Sequence, residues 1–138
     1  MLPTALIFYG WVLAELRDHE ASLAAFRRSR EIGETRWGQQ DERTLMAQIG
    51  VGQCLVNLGR PEGAIELLEP ALVLSDGLDK PEPNRAAASF ALARALWDSN
   101  RDRPRAKKLA AAALKLYEGL ERSQREHKRV RAWIRAHG

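Results

Sequence analysis

The chain reads VGQCLVNLGRPEGAIELLEPAL over residues 51–72, a pattern of two helices joined by a tight turn. Apolar residues recur at helical spacing before and after the break at residues 58–61. Gly59 suits the left-handed conformation that commonly ends a helix, and Pro61 suits the first position of the helix that follows. Residues 51–72 therefore predict a helical hairpin.

The same pattern occurs three times along the chain. Gly52 has counterparts in Gly10 and Ala93, which lie 42 residues before it and 41 residues after it. Each copy continues into a second amphipathic stretch, in which small residues recur where two helices must approach closely. After the third copy comes a basic segment with Val130 and Trp133 on one side, typical of a helix that covers the end of a repeat array. The predicted repeats are residues 3–36, 41–78 and 82–119, and the predicted capping helix is residues 121–137.

The middle copy also carries part of a known repeat signature, namely Gly52, Leu55, Leu58 followed by Gly59, Ala64 and Ala71. It resembles the tetratricopeptide repeat (TPR). The TPR period is about 34 residues, so the copies here are longer, which we attribute to a longer second helix and linker. The resemblance covers residues 3–119. It implies an all-α fold, a right-handed α-solenoid (superhelix) of three TPR-like helical hairpins plus a C-terminal capping helix, in a single domain over residues 1–138.

The resemblance implies a function as well. Such arrays are protein–protein interaction modules or scaffolds, and arrays of this composition are common in bacterial signalling proteins. The first helix of each pair lines a concave groove that binds a partner peptide or protein. Carried over to this sequence, the groove residues are Ile7, Trp11, Met46, Ile49, Gln53, Val56, Asn57, Phe90, Arg94, Trp97 and Asp98. Trp11 and Trp97 are either anchors for a partner or packing between repeats, and the sequence leaves both readings open.

Charge is distributed unevenly along the chain. Residues 1–100 carry 10 Lys and Arg against 14 Asp and Glu, a net charge of −4, whereas residues 101–138 carry 12 against 4, a net charge of +8. A basic surface of this kind can bind nucleic-acid phosphates or an anionic membrane surface, but a solvated capping helix explains the same charges, and no nucleic-acid recognition motif accompanies them. Protein binding is therefore the first hypothesis and nucleic-acid or anionic-surface binding the alternative. The predicted basic patch consists of Arg122, Arg125, Lys128 and Arg129.

The sequence contains no constellation typical of catalysis or metal binding. His19, His127 and His137 lie far apart, and none forms an i, i+4 pair with another His or Cys. Phosphate-binding loops, nucleophile elbows and dinucleotide fingerprints are missing from the sequence. We therefore expect neither an enzyme nor a bound cofactor or metal. Cys54 is the single cysteine, and we predict a small buried residue in a protein of the reducing cytoplasm.

The apolar run at residues 2–16 is shorter than the about 20 residues that a membrane-spanning helix needs. Its Gly10 aligns with Gly52, so we predict the first helix of the first repeat rather than a signal peptide or a membrane span. An apolar helix of this kind also indicates a further alternative. The chain would then be a self-associating structural module, a homodimer whose surface includes Ile7 or Phe8.

Overall fold

The computed structural model describes residues 2–138 as seven α-helices, with no strand in that range. The helices are α1 Pro3–Glu15, α2 His19–Arg36, α3 Glu42–Asn57, α4 Pro61–Ser75, α5 Glu82–Asp98, α6 Arg103–Glu118 and α7 Gln124–His137. The all-α prediction is confirmed. None of the helices within residues 2–138 is both long enough and apolar enough to cross a bilayer.

The helices are arranged in pairs along the chain. Each helix packs against the next one, and short turns at residues 16–18, 58–60 and 99–102 join the two helices of each pair. The first helices also pack against one another, α1 with α3 and α3 with α5. α1, α3 and α5 thus form a continuous row, which carries all the residues predicted to line a groove.

Local sequence signals set the helix ends. Asp18, Asp41 and Asp102 each accept a hydrogen bond from a backbone N–H in the first turn of α2, α3 and α6, at 3.2, 2.9 and 3.1 Å. Each bond satisfies an N–H group that a helix start otherwise leaves without a partner. Gly59 follows α3 in the left-handed conformation, with a φ of +74°, and Pro61 is the first residue of α4. The turn at Gly59 and Pro61 lies where the sequence predicts it.

Glycines allow close approach of the helices. The ring of Phe26 on α2 lies against Gly10 of α1 and Gly50 of α3, so one side chain joins the first two pairs. A Cβ atom added at Gly50 would lie 2.5 Å from that ring, and one added at Gly52 would lie 2.6 Å from Leu68 of α4. Larger side chains at these positions would force the helices apart.

Ser22 and Cys54 form a buried polar link across the first three helices. Ser22 Oγ donates a hydrogen bond to the backbone carbonyl of Gly10 at 2.7 Å, and Cys54 Sγ donates to Ser22 Oγ at 3.3 Å. Cys54 is 1% exposed, which confirms its predicted burial. This burial raises the pKa of the thiol, so Cys54 stays neutral and acts as a packing residue.

α7 is attached through a small apolar cluster of its own. Val130 is fully buried against Ala86 of α5 and against Ala113 and Tyr117 of α6. It is the one buried residue of α7, whose other side chains are partly or fully exposed. α7 therefore lies on the surface of α5 and α6, anchored through Val130 in the middle of the helix.

Candidate functional site

Three of the residues predicted to line a groove are core residues. Ile7, Ile49 and Val56 are only 3, 3 and 4% exposed and belong to the main apolar core. They lie three or four positions from Gly10 or Gly52, which places them on the helix face that packs against the second helices. They are therefore inaccessible to a partner, which corrects the sequence expectation.

The other predicted groove positions are accessible to differing degrees. Trp11, Gln53 and Arg94 occupy equivalent places in α1, α3 and α5, each one residue after the repeated small residue. They project from the row of first helices at repeating intervals. Exposed positions are Trp11, Asn57 and Asp98, and half-buried positions are Met46, Gln53, Phe90, Arg94 and Trp97.

α7 covers part of this row. Trp133 of α7 packs edge to face against Phe90 and Trp97 of α5, with ring centroids 6.1 and 5.7 Å apart. His137, one turn later, stacks on Trp133 at 4.3 Å and meets Trp97 at 5.1 Å. Aromatic pairs of this kind contribute about 0.5–1.5 kcal/mol each beyond the area that they bury. Of the two readings of Trp97, the structure supports packing, although its aromatic contacts are with α7 rather than with another repeat and the Arg103 guanidinium of α6 lies 4.5 Å from its ring.

Two arginines of α7 reach the far end of the row. Arg125 and Arg129, one helical turn apart, both donate to the Glu15 carboxylate at the end of α1, with Arg129 Nη2 at 3.1 Å from Oε1. Desolvation raises the pKa of Glu15, but the hydrogen bonds and charges of the two arginines together outweigh it. The pKa of Glu15 therefore lies below its ordinary value of 4.5. α7 thus contacts both α5 and α1.

The predicted basic patch is divided by these contacts. Arg125 and Arg129 are ion-paired with Glu15, whereas Arg122 and Lys128 are exposed and have no carboxylate oxygen within 4 Å in residues 2–138. Arg125 and Arg129 share a helix face because they are four residues apart. The four residues therefore do not form one free cationic surface.

A cleft of about 660 Å³ lies between α7 and the ends of the first helices. Asn57, Phe90 and Arg94 form one wall, and α7 forms the other. The turn between α1 and α2 contributes Arg17, whose φ of +61° is uncommon for a residue other than glycine, and the adjacent His19 at the start of α2. Residues from the predicted groove and from the predicted basic patch thus meet in a single cleft.

The cleft is strongly cationic. Four arginines line it, Arg17, Arg94, Arg125 and Arg129, whereas Glu15 is its one carboxylate. Glu15 is already engaged by two of these arginines. The unbalanced positive charge suits an anionic ligand. Among residues 2–138, no three His, Cys, Asp or Glu side chains lie close enough together to hold a metal ion.

Arg94 is the most enclosed arginine of the cleft, half-buried where the other three are exposed. Burial lowers the pKa of its guanidinium, Asp98 opposes that effect, and the positive charge of Arg129 adds to it. Arg94 Nη2 donates to the Asn57 amide oxygen at 2.8 Å. Within residues 2–138, no carboxylate oxygen lies within 4 Å of the guanidinium. Arg94 thus retains hydrogen-bond donors without a counter-charge in contact.

Sequence reasoning missed the second wall of the cleft. The pattern around Trp133 predicts a helix, but the contact of Trp133 with Phe90 depends on the path of residues 119–123, which no periodicity specifies. Glu15 and Arg129 are 114 residues apart, so neither predicts the other locally. The one sequence feature that indicates this contact is the i, i+4 spacing of Arg125 and Arg129, which places two cationic side chains on the same face of α7.

No protein-family model matches the chain, and comparisons with curated proteins and with solved structures likewise give no match. The candidate site therefore stands on the geometry of this chain.

Proposed function

We propose that this chain is a non-catalytic protein–protein interaction module that binds an acidic segment of a partner protein in the cleft between α7 and the first helices. The proposal includes a TPR-like architecture, with three hairpins in a right-handed α-solenoid and α7 as its capping helix. We also propose that the module acts in signalling or regulation in the bacterial cytoplasm. The order of the helices and the repeated small residues at their crossings support this architecture.

The observation that carries the proposal is the unpaired charge of Arg94. Enclosing a guanidinium without a counter-ion costs free energy, which an anion placed beside it would recover. A guanidinium also binds a carboxylate through two parallel N–H donors, a geometry that gives both strength and orientation. Asn57 already orients the Arg94 side chain at 2.8 Å, so less side-chain freedom would be lost on binding.

The size and lining of the cleft favour a peptide segment. Its volume of about 660 Å³ lies within the roughly 300–1,000 Å³ of typical ligand sites. Phe90 and Trp133 offer aromatic surface beside the arginines. A ligand with carboxylates flanking an apolar side chain would satisfy both features. We therefore expect an acidic segment with an aromatic or large aliphatic residue at its centre.

The proposal is tested by fluorescence anisotropy with three labelled probes. The first is an octapeptide of glutamates with a central Phe, the second has lysines in place of the glutamates, and the third is a single-stranded oligonucleotide. Arg94→Gln removes a charge from the cleft, and Arg101→Gln removes an exposed charge outside the residues that line it. Because a hydrogen bond to a charged group contributes about 1.5–3 kcal/mol, we expect Arg94→Gln to weaken binding of the acidic peptide about tenfold or more.

Arg101→Gln should weaken binding of the acidic peptide by less than about threefold, since screening makes distant charges weak contributors. Equal losses in the two variants would indicate diffuse attraction to a basic protein and would contradict a site at Arg94. Tighter binding of the oligonucleotide that is lost on neutralising Arg122 and Lys128 would instead support the nucleic-acid alternative.

A further inference from the structure

The face of α1 that points away from α2 is apolar and exposed. The exposed fractions run from 40% at Trp11 to 71% at Leu16. The rings of Phe8 and Trp11 meet edge to face, with centroids 5.3 Å apart. Within residues 2–138, Val73 is the one large hydrophobic residue outside this face that is exposed to a similar degree. The residues of this α1 face are Leu2, Phe8, Tyr9, Trp11, Val12 and Leu16.

The repeat shows how the equivalent face is used elsewhere. With the spacing of 42 residues, Phe8 corresponds to Gly50 and Val12 corresponds to Cys54. Gly50 packs against the ring of Phe26 on α2, and Cys54 is hydrogen-bonded within the same junction. The α1 face is therefore the counterpart of a surface that in α3 is covered by a helix.

The residues on α1 are too large for the same junction. In α5 the positions equivalent to Phe8 and Val12 are Ala91 and Ala95, which are 2 and 0% exposed. Both internal junctions thus place small residues where α1 has a Phe and a Val. A helix of the α2 type could not approach α1 as closely as α2 approaches α3. The α1 face fits a helix at wider spacing, with large side chains interdigitating, rather than another junction of the same array.

Charge favours a second copy of the chain as the occupant of this face. Residues Pro3 to Ala14 carry no Asp, Glu, Lys, Arg or His. In a two-fold contact each surface meets its own copy, so charged surfaces repel and a charge-free surface does not. Residues 101–138, by contrast, carry a net charge of +8, which disfavours self-contact at the other end of the molecule.

The exposed apolar area of the α1 face is also compatible with a specific dimer interface. A large aromatic side chain has about 150–250 Å² to bury, so the exposed fractions of the α1 face correspond to roughly 600 Å² per copy. Complete burial of this area in both copies would remove at most about 1,200 Å², which reaches the lower limit for specific, stable interfaces. We propose that a second copy of this chain docks on the α1 face in a two-fold helix–helix contact centred on Phe8, Tyr9 and Val12. None of these three residues lines the cleft, so this proposal is independent of the proposed function.

Sedimentation equilibrium over a range of protein concentrations tests the dimer. We expect the wild-type mass to rise from 15.5 kDa toward twice that value. Phe8→Glu places a charge at the centre of the contact in both copies, so the dissociation constant should rise about a hundredfold or more. Val73→Glu introduces the same charge at an exposed residue outside the α1 face. This control should alter the dissociation constant by less than about threefold.

Circular dichroism of each variant checks that helicity is retained, and Val12→Glu provides a second variant should Phe8→Glu lose it. A wild-type protein that stays monomeric up to about 0.5 mM, well above typical protein affinities, would overturn the proposal. So would a dimer that a folded α1 variant leaves intact. A dimer that dissociates in about 1 M salt would be held together by charge rather than by this apolar face. That result would also overturn the proposal.

Discussion

Arg129 donates a hydrogen bond to Glu15 at 3.1 Å, although 114 residues separate the two in the chain. This contact ties the last helix to the end of the first one, while Trp133 ties it to α5. Without these contacts, the surface of α1, α3 and α5 that faces α7 would be open to solvent. With them, the same residues form a two-walled cationic cleft, whose properties depend on the attachment of α7.

Trp133→Ala should loosen that attachment. The substitution removes the edge-to-face contacts with Phe90 and Trp97, and we expect a destabilisation of about 1–3 kcal/mol, since Trp133 is partly rather than fully buried. Hydrogen exchange should accelerate in α7 more than in α3. Trp11→Ala, measured in dilute solution, is the matched control because Trp11 is exposed, and it should cost about 1 kcal/mol or less. Equal effects of the two substitutions on α7 would contradict the contact.

Gly50→Ala should destabilise the junction between the first two helix pairs. The added Cβ would lie 2.5 Å from the Phe26 ring, so the ring or a helix must move, at a cost of about 1–3 kcal/mol. Gly63→Ala is the control, since its Cβ would make an ordinary contact of 3.6 Å with Leu55 and should stabilise α4 by about 0.5 kcal/mol. Urea denaturation measures both. A Gly50→Ala protein as stable as the wild type would show that the junction is looser than described.

The ion pairs of Glu15 predict a pH dependence. Because the pKa of Glu15 is lower in the folded protein than in the unfolded chain, its contribution is complete above the ordinary value of 4.5 and is lost as the pH falls through the folded value. Wild type should therefore resist urea slightly better than Glu15→Gln at pH 6.5, and the difference should diminish as the pH is lowered below 4.5. The effect is small because all the partners are exposed. Glu66→Gln is the control at an exposed residue outside these ion pairs, and a Glu15→Gln difference that does not diminish as the pH falls would exclude the ion pairs as its cause.

Cys54 should react slowly with thiol reagents in the native protein. Burial to 1% exposure and a raised pKa both reduce the exposed thiolate that such reagents attack. We expect Ellman's reagent to modify Cys54 at least about a hundredfold faster in denaturant than in buffer, because modification requires opening of the core. Val73→Cys introduces an exposed second thiol as an internal reference, and it should react at once. Rapid modification of both thiols in buffer would contradict the burial of Cys54.

The helical pairs were predictable from sequence because their signals are local. Asp18 and Asp41 cap helices through neighbouring N–H groups, and Gly59 and Pro61 act through their own backbone geometry. Such effects need no knowledge of the rest of the fold.

The groove was only partly predictable because it depends on helix orientation. A shift of one residue turns a side chain by about 100°, so a register taken from a family with a shorter period places Ile49 and Val56 toward a partner when they point into the core. The position of α7 is harder still to predict, because Trp133 and Phe90 are 43 residues apart in the chain. Long-range contacts of this kind leave no periodic trace in the sequence.

The most direct measurement is an amide chemical-shift titration of the protein with the acidic, Phe-containing octapeptide. Binding in the cleft predicts that the largest changes fall on Asn57, Arg94 and the cleft side of α7 around Arg129 and Trp133, and that Arg94→Gln shifts the titration to about tenfold or more higher peptide concentration. Changes confined to the exposed region around Arg122 and Lys128, or an unchanged spectrum at millimolar peptide, would contradict an acidic-peptide site between α7 and the first helices.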